Sequence, residues 1–270
     1  MRKVVLMLGS MALAILLAGG VAQAIINGEP DRGSEAHPYV GALVTVPPSG
    51  EFEGQRIPVC SGTLISARVF LTAGHCTELL MKEDLPSYVS LDPTYKPGAS
   101  EVMKATPYTH PKFCNADKEG CPRYDAGVVV LKKSVRNATY GALPDAGLVD
   151  TLKEGKRLTT VGYGATGYEI GSGLQPQPVY PEDRNKAMVR LLDTKDPALG
   201  EMFVKTTGVS LIKGKGQSAC HGDSGGPLFM PDQQTIVGIT SRGSPRVCRG
   251  PVYYQRMDLP GVLKWVRSFP

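Results

Sequence analysis

The chain is poor in tryptophan, histidine and other aromatic residues, and it lacks the patterns that mark metal and nucleic-acid proteins. It contains one tryptophan and four histidines, and aromatic residues make up 7% of its 270 residues. It has no His-Glu-x-x-His and no Cys-x-x-Cys, so no spacing indicates a zinc site. Its net charge is only +5, without a long basic run, which argues against nucleic-acid binding. The sequence therefore predicts no metal, no cofactor and no nucleic-acid partner.

Internal repeats, heptads and low-complexity segments are also missing, whereas glycine and proline are frequent, at 32 and 22 residues. Short apolar runs bounded by Gly, Pro, Ser or Asp are typical of many short strands. Such runs favour a barrel or a sandwich over βαβ units. Strands are predicted at 39–46, 60–65, 69–72, 127–131, 159–162, 227–230, 235–241 and 251–256. Helices are predicted only at 75–80 and 259–266.

The one long apolar run lies at the N-terminus and has the pattern of a secretory signal. Arg2 and Lys3 supply a basic start, residues 4–17 are almost entirely apolar, and residues 22–24 read Ala-Gln-Ala, a small-x-small cleavage site. The run is shorter than the roughly 20 residues that a membrane-spanning helix needs. We therefore expect export, cleavage after Ala24, and no membrane association of the mature chain.

A Gly-rich hexapeptide, Gly-Asp-Ser-Gly-Gly-Pro at residues 222–227, has the composition of a turn that exposes a nucleophile. A serine that attacks a carbonyl needs backbone N–H groups aimed where the oxyanion forms. Flanking glycines allow backbone conformations that other residues resist. Asp223 adjoins Ser224 and needs a partner elsewhere. A plain Gly-rich turn between strands would read similarly, so this motif alone leaves both interpretations open.

Two further segments supply the partners that a serine nucleophile needs. Residues 71–76 read Leu-Thr-Ala-Gly-His-Cys, and Asp125 stands at the mouth of the β-branched run 127–131. Activation of a hydroxyl requires a base within hydrogen-bond reach and a carboxylate that fixes the imidazole tautomer. The chain order His75, Asp125, Ser224 is that of the chymotrypsin-like proteases.

Together these segments closely resemble the trypsin/chymotrypsin family of serine proteases, from residue 25 to about residue 265. The resemblance implies an all-β fold of two six-stranded antiparallel barrels with a C-terminal helix and the active site between the barrels. After a signal peptide at 1–24, the first barrel would take residues 25–140 and the second 141–270, with the crossing at 137–146. The Thr-Ala-Gly-His-Cys sequence of the histidine motif and the small number of disulfides favour a bacterial secreted member.

The resemblance also assigns the chemical roles. Ser224 would attack the scissile carbonyl, His75 would transfer its proton, and Asp125 would orient His75. The backbone N–H groups of Gly222 and Ser224 would bind the oxyanion. Ser241 matches the family serine that bonds the triad aspartate, with an ordinary strand serine as the alternative, and its strand would pair with the substrate backbone.

Six cysteines in an exported chain imply disulfides, although the count allows many pairings. The resemblance chooses a first pair that braces the histidine loop and a second pair at the wall of the specificity pocket. A third pair is left, just ahead of Asp125. The expected bridges are Cys60–Cys76, Cys220–Cys248 and Cys114–Cys121.

The specificity pocket departs from the best-known family patterns. Ser218 stands where trypsins carry an aspartate, and a neutral residue there cannot pair with a buried Lys or Arg. Large apolar or aromatic substrate side chains are therefore expected first. Arg242, ahead of Gly243, stands where a tryptophan is usual, and its field would favour acidic residues. Pro251 stands where relatives often have glycine and would narrow the pocket toward smaller residues. The expected order of preference for the substrate side chain is therefore apolar first, small second and acidic third.

Cleavage after Ala24 would create an N-terminus at Ile25, in a segment Ile-Ile-Asn-Gly that resembles the start of activated family members. In the family this ammonium pairs with the aspartate that precedes the nucleophile, which is Asp223 here. A buried carboxylate without a partner would be strongly penalised. No room is left for a propeptide, so either export itself yields active enzyme or a different control exists.

Two other functions stay open at this stage: a catalytically inactive homologue that binds rather than cuts, and a quality-control protease with an attached peptide-binding module. No triad residue is missing, and only 46 residues follow Ser224. We expect a monomer whose partners are protein or peptide substrates and protein inhibitors. The long loops predicted at 46–58 and 164–186 are candidates for the substrate rim or for plain surface insertions.

Overall fold

The computed structural model describes residues 25–33, 36–114, 124–170, 176–195, 200–243 and 248–270. These residues form fifteen β-strands and two α-helices. The strands are β1 Glu29–Pro30, β2 Val40–Thr45, β3 Ile57–Leu64, β4 Val69–Thr72, β5 Ser87–Ser90, β6 Met103–Thr109, β7 Gly127–Leu131, β8 Arg157–Gly162, β9 Gly167–Ile170, β10 Pro176–Val179, β11 Asn185–Asp193, β12 Phe203–Thr206, β13 Pro227–Phe229, β14 Ile236–Arg242 and β15 Val252–Arg256. The helices are α1 Gly74–Lys82 and α2 Pro260–Val266.

Six antiparallel strands close the first barrel in the order β2-β3-β4-β7-β6-β5. Every residue of β2 and β4 is buried. Val40 and Leu43 of β2 pack in the same core cluster as the apolar residues of β4, whereas Ala42 and Val44 pack in a separate cluster with Tyr95 and Tyr163. Burial of this apolar area stabilises by about 25 cal/mol per Å². Gly41 and Gly62 pair across β2 and β3 beneath the ring of Phe70. A Cβ on Gly62 would lie 2.4 Å from that ring, so glycine is what lets the strands pass so closely.

The second barrel follows the order β11-β12-β15-β14-β13-β8, and the pairing of β11 with β8 closes the ring. Strand β1 adds to the outer side of β11. Along β11, buried positions alternate with more exposed ones, as expected of a strand with one face on a core. The predicted all-β class with two six-stranded antiparallel barrels and a C-terminal helix is confirmed.

A buried polar cluster joins the two barrels. Arg184, just before β11, donates to the Asp31 carboxylate at 2.7 Å and to the carbonyl of Val40 on β2 at 2.9 Å. The ring Nδ1 of His37 lies 2.8 Å from the other oxygen of the same carboxylate, Asp31 Oδ1. Buried charges persist where they are paired and hydrogen-bonded, so this cluster fixes the two barrels against each other.

The prediction of one long loop over 164–186 is wrong in part. The hairpin β9–β10 lies inside it, and β11 begins at Asn185. Strand β10 reads Pro-Gln-Pro-Val, and proline has no N–H to donate to a sheet, so the sequence reads as a loop although the strand pairs with β9. In the part of the chain that the structure describes, no helix is long and apolar enough to span a bilayer.

Candidate active site

His75 and Asp125 emerge at the same edge of the first barrel because their strands are neighbours. Strand β4 leads into α1, whose second residue is His75. Asp125 lies two residues before the start of β7, which pairs with β4. The backbone N–H of His75 donates to Asp125 Oδ1 at 2.8 Å, and His75 Nδ1 lies 2.9 Å from Oδ2. The His75 side chain is 37% exposed and that of Asp125 only 7%. The Nδ1 edge of the imidazole is thus held by a buried carboxylate, while the rest of the ring remains partly exposed to solvent.

The two groups move each other's pKa in opposite directions. Burial acts to raise the pKa of Asp125, but the charge and hydrogen bonds of His75, with a bond from Ser241, hold it below its usual value. Burial acts to lower the pKa of His75, yet the charge and hydrogen bond of Asp125 raise it overall. A raised imidazole pKa makes His75 a stronger base toward a neighbouring hydroxyl.

Two residues of the second barrel complete the surroundings of Asp125. Ser241 Oγ donates to Asp125 Oδ2 at 2.5 Å. The backbone N–H of Asp125 donates to Oε1 of Gln255 on β15 at 2.8 Å. The Gln255 amide nitrogen donates to the carbonyls of Met202 and Arg256 at 3.2 and 3.1 Å, so its oxygen is fixed toward Asp125. The sequence analysis missed Gln255, because a strand glutamine carries no motif and only its full burial reveals the role.

Gln255→Ala is expected to lower kcat with little change in KM and to shift the acid limb of the pH–rate profile to lower pH. The variant leaves the buried N–H of Asp125 without an acceptor, which costs about 1–3 kcal/mol, and a less well held carboxylate supports the His75 cation less. Steady-state kinetics across pH measure both effects. Gln234→Ala is the control, since that exposed glutamine also donates to a backbone carbonyl, at Tyr140. Loss of thermal stability with an unchanged pH profile would show that Gln255 is purely structural.

The loop 222–226 lies between the two barrels and presents Ser224. Ser61 on β3 donates its N–H to the Ser224 carbonyl at 2.8 Å, and its hydroxyl donates to the Gly222 carbonyl at 2.9 Å. On the other side, the N–H of Gly225 donates to Thr240 of β14 at 2.8 Å. Gly222 has a φ of +93°, which favours glycine. Within the described residues, neither the N–H of Gly222 nor that of Ser224 donates a hydrogen bond.

Ser224 lies against the start of α1. Cys76 Sγ is 3.8 Å from the Ser224 carbonyl oxygen, and the disulfide Cys60–Cys76 ties α1 to β3. No hydrogen bond joins Ser224 Oγ to His75 among the side chains that the structure describes. In unliganded enzymes such bonds often tighten only when substrate binds.

Asp223 is a fully buried carboxylate. It accepts the N–H of Gly164 on Oδ1 and that of Cys220 on Oδ2, each at 2.8 Å. A Cβ on Gly164 would lie 2.4 Å from the carboxylate, so glycine is required there. Burial raises the pKa of Asp223 to about 7 against these two hydrogen bonds. No cationic side chain of the described ranges forms an ion pair with it.

The predicted mature N-terminus packs beside the Asp223 loop. Ile25 is completely buried. The N–H of Ile26 donates to the Ser218 carbonyl at 2.9 Å, and the N–H of Ser218 donates back at 3.2 Å. Ile26 also packs against the cluster that contains Ala165 and Cys220. Cys220 is one N–H donor to Asp223, and Ala165 follows the other donor, Gly164. Residues 25–26 therefore lie next to the segments that hold this carboxylate.

A cavity of about 200 Å³ opens beside Ser224. Its walls come from the nucleophile loop, the end of β14 and the start of β15: Ala219, Cys220, His221, Ser224, Thr240, Ser241, Arg242, Gly243, Cys248 and Val252. The disulfide Cys220–Cys248 forms part of the wall, and the hydroxyl of Tyr168 lies 3.5 and 3.2 Å from its two sulfurs. The sequence analysis did not identify Tyr168.

Three predicted pocket residues take different places. Arg242 lines the cavity, and its guanidinium lies 5.3 Å from the ring centroid of buried Phe203. Ser218 is fully buried and donates its hydroxyl to the carbonyl of Ala219 at 3.0 Å, while Ala219 itself faces the cavity. Pro251 is exposed, and its neighbour Val252 supplies the wall that proline was expected to form.

Of the third predicted disulfide, Cys114 is disulfide-bonded and Cys121 lies outside the described residues.

Comparison with known proteins supports one family. A sequence model of the family described as Trypsin matches residues 25–266. A trypsin of Saccharopolyspora erythraea is 30% identical, over 81% of this chain and 86% of its own length. A chymotrypsin of Phaedon cochleariae is 27% identical, over 80% and 73%.

Solved structures show the same fold. The chain is similar to HL collagenase with a TM-score of 0.66 and 22% identity, covering 90% of this chain and 97% of that one. It is similar to mouse neuropsin, a serine protease, with a TM-score of 0.64 and 22% identity, covering 90% and 99%. With a family match over nearly all the described residues, this chain is a serine-type endopeptidase and belongs to the trypsin family.

Proposed function

We propose that the protein is a secreted endopeptidase in which Ser224, His75 and Asp125 act as nucleophile, base and orienting carboxylate. The observation that carries this proposal is the doubly bonded pair of His75 and Asp125 next to the Ser224 loop, where the N–H groups of Gly222 and Ser224 donate to no partner among the described residues. A spare pair of donors beside a nucleophile is what acyl transfer requires.

The chemistry follows from these positions. Ser224 Oγ attacks the carbonyl carbon of the scissile bond while His75 takes the hydroxyl proton. His75 then returns that proton to the leaving amine as the C–N bond breaks, and an ester to Ser224 remains. Water activated by His75 hydrolyses the ester and frees Ser224. Throughout, Asp125 holds the tautomer and stabilises the imidazolium, with Ser241 and Gln255 keeping Asp125 in place.

The oxyanion of each tetrahedral intermediate would lie between the N–H groups of Gly222 and Ser224. Because neither group has another partner in the described residues, both are available to the developing charge. A donor of this kind is worth about 3 kcal/mol of transition-state stabilisation where one has been removed from a protease.

Substrate preference is proposed to be chymotrypsin-like rather than trypsin-like. The cavity of about 200 Å³ has no Asp or Glu among its described lining residues, so a buried Lys or Arg would lack a counter-charge. An apolar cavity of about 150 Å³ already accommodates benzene. Phe, Tyr and Leu side chains therefore fit the cavity in size.

We further propose that secretion and activation are linked through Ile25. Removal of residues 1–24 would leave an ammonium at the N-terminus of a buried residue that packs beside the Asp223 loop. An ammonium there would favour the ionised carboxylate and offset the cost of burying it. The pair would then hold Gly222 and Ser224 in the geometry that binds the oxyanion.

Digestion of a diverse peptide library with purified residues 25–270 tests the proposed function. Mass spectrometry should map cleavage after Phe, Tyr and Leu, with about a tenfold or greater preference over Lys and Arg. The Ser224→Ala protein, purified in parallel, controls for contaminating proteases. Dominant cleavage after Lys, Arg, Asp or Glu would contradict the proposed preference, and absence of cleavage would contradict the proposed endopeptidase.

A further inference from the structure

Ser61 on β3 is a fully buried serine of the first barrel that contacts the loop 222–226. Its N–H donates to the Ser224 carbonyl at 2.8 Å, and its hydroxyl donates to the Gly222 carbonyl at 2.9 Å. Gly222 and Ser224 are the two residues whose N–H groups are proposed to bind the oxyanion. One residue of the first barrel therefore holds the carbonyls of both proposed donors.

The direction of the Ser61 hydroxyl is fixed by a second hydrogen bond. The N–H of Tyr163 donates to Ser61 Oγ at 2.9 Å. A carbonyl oxygen can only accept, so Ser61 is the donor in the bond to Gly222. The Ser61 carbonyl in turn accepts the hydroxyl of Thr72 at 2.8 Å. Because every polar group of Ser61 is bonded to protein, these bonds select one orientation of its side chain.

The peptide unit between Gly222 and Asp223 is held at both of its polar ends. Ser61 Oγ bonds the Gly222 carbonyl, and the N–H of Asp223 donates to the Cys220 carbonyl at 3.0 Å. Gly222 has a φ of +93° and no Cβ, so its backbone turns more freely than that of other residues. Fixing this peptide unit therefore limits how far the adjoining N–H of Gly222 can turn away from the oxyanion.

The same segment of β3 is also tied to the proposed base. Cys60, the residue before Ser61, forms the disulfide with Cys76, which follows His75 in α1. Ser61 thus adjoins the covalent link to the helix of His75 and is itself hydrogen-bonded to the loop of Ser224. Catalysis depends on the relative placement of base, nucleophile and oxyanion donors, and Ser61 lies at the junction that sets it.

We propose that Ser61 is a positioning residue, whose hydroxyl holds the peptide unit between Gly222 and Asp223 so that the N–H of Gly222 points at the oxyanion. Its buried side chain acts through the backbone of Gly222 and not on the substrate. A hydrogen-bond donor stabilises the transition state most when it is already placed before the charge develops. This inference deepens the proposed function and rests on it, because it takes Ser224 as the nucleophile and Gly222 as a donor.

Ser61→Ala removes Oγ and leaves the backbone bond to Ser224, so it tests the hydroxyl alone. We expect a kcat about 10- to 100-fold lower with KM changed by less than about twofold, since outright loss of an oxyanion donor costs about 10²- to 10³-fold in kcat. Thr45→Val is the matched control, because Thr45 is also buried in the first barrel and its hydroxyl bonds the Pro86 carbonyl at 2.7 Å. It should lower the midpoint of thermal unfolding and keep the wild-type kcat.

A spectroscopic measurement separates the oxyanion from the rest of catalysis. A peptide trifluoromethyl ketone enriched in ¹³C at its carbonyl should form a hemiketal by addition of Ser224 Oγ, and the oxyanion donors lower the pKa of the hemiketal hydroxyl. That pKa, read from the ¹³C chemical shift across pH, should rise in Ser61→Ala and stay at the wild-type value in Thr45→Val. Ser61→Gly also lacks Oγ and gives the same comparison if Ser61→Ala does not fold.

A folded variant with unchanged kcat and unchanged hemiketal pKa would overturn the inference even if its unfolding midpoint falls, because the hydroxyl would then serve stability alone. A lower kcat with an unchanged hemiketal pKa would also overturn it, since the loss would arise away from the oxyanion. Wild-type protein that neither hydrolyses peptides nor forms the hemiketal would instead contradict the proposed function, and the inference with it. The wild-type measurement therefore distinguishes the two failures.

Discussion

Ser224→Ala is expected to reduce kcat/KM by about 10⁴-fold or more while the protein stays folded. In the proposed mechanism the Ser224 hydroxyl forms the ester, so its loss leaves the oxyanion donors and the substrate cavity to give residual catalysis. The Ser224 carbonyl and N–H belong to the backbone and persist in alanine, so the bond from Ser61 should remain.

Two measurements accompany the kinetics. A fluorophosphonate probe should label the wild-type protein at Ser224 and leave Ser224→Ala unlabelled, which also separates the enzyme from an inactive homologue. Thermal unfolding should give nearly the same midpoint for both proteins. Ser268→Ala removes another serine hydroxyl, one that bonds the Trp265 carbonyl after α2, and should keep full activity. Near-normal turnover by Ser224→Ala would contradict the proposed nucleophile.

The local sequence was sufficient to predict those strands whose residues form a continuous apolar run. The runs at 69–72 and 127–131 coincide with β4 and β7, because continuous β-branched and apolar residues suit strands buried within a barrel. The pairing of those two strands then places His75 beside Asp125. Strand β6 was missed because most of its positions are only partly buried, so its sequence carries little apolar pattern.

Contacts between distant segments could not be read from local patterns. Gln255 reaches Asp125 across 130 positions of sequence, and Tyr168 reaches the sulfur of Cys248 across 80. Pocket position also depends on side-chain direction, which alternates along a strand. The sequence analysis placed Pro251 at the wall of the cavity beside Ser224, whereas the structure places the next residue, Val252, there.

The N-terminus carries the second large expected effect. Protein that keeps Ala24 or a tag ahead of Ile25 is expected to fold but to show at least about 100-fold lower kcat/KM than protein that begins at Ile25. The extended chain has an amide in place of the ammonium, so Asp223 stays buried without a cation, a costly arrangement. Enzymatic removal of the tag should restore activity, measured on one sample before and after cleavage.

The pH dependence separates this pairing from a simple effect of length. An ammonium stabilised by Asp223 has a folded pKa above the roughly 7.7–8.0 of a free α-amine. The stability it contributes is fully present below the free-amine pKa and is lost as pH rises through the folded pKa. Activity of the mature protein should therefore fall reversibly on the alkaline side.

Without the ammonium, burial holds the pKa of Asp223 at about 7, so the carboxyl of the extended form should bind a proton near neutral pH. Asp223→Asn in the mature protein is the matched variant, since it keeps the shape and removes the charge. It should be poorly active at every pH and lack the reversible alkaline transition that the ion pair produces. Full activity from an extended, uncleaved chain would rule out the pairing of Ile25 with Asp223 and would leave the roles of His75, Asp125 and Ser224 untouched.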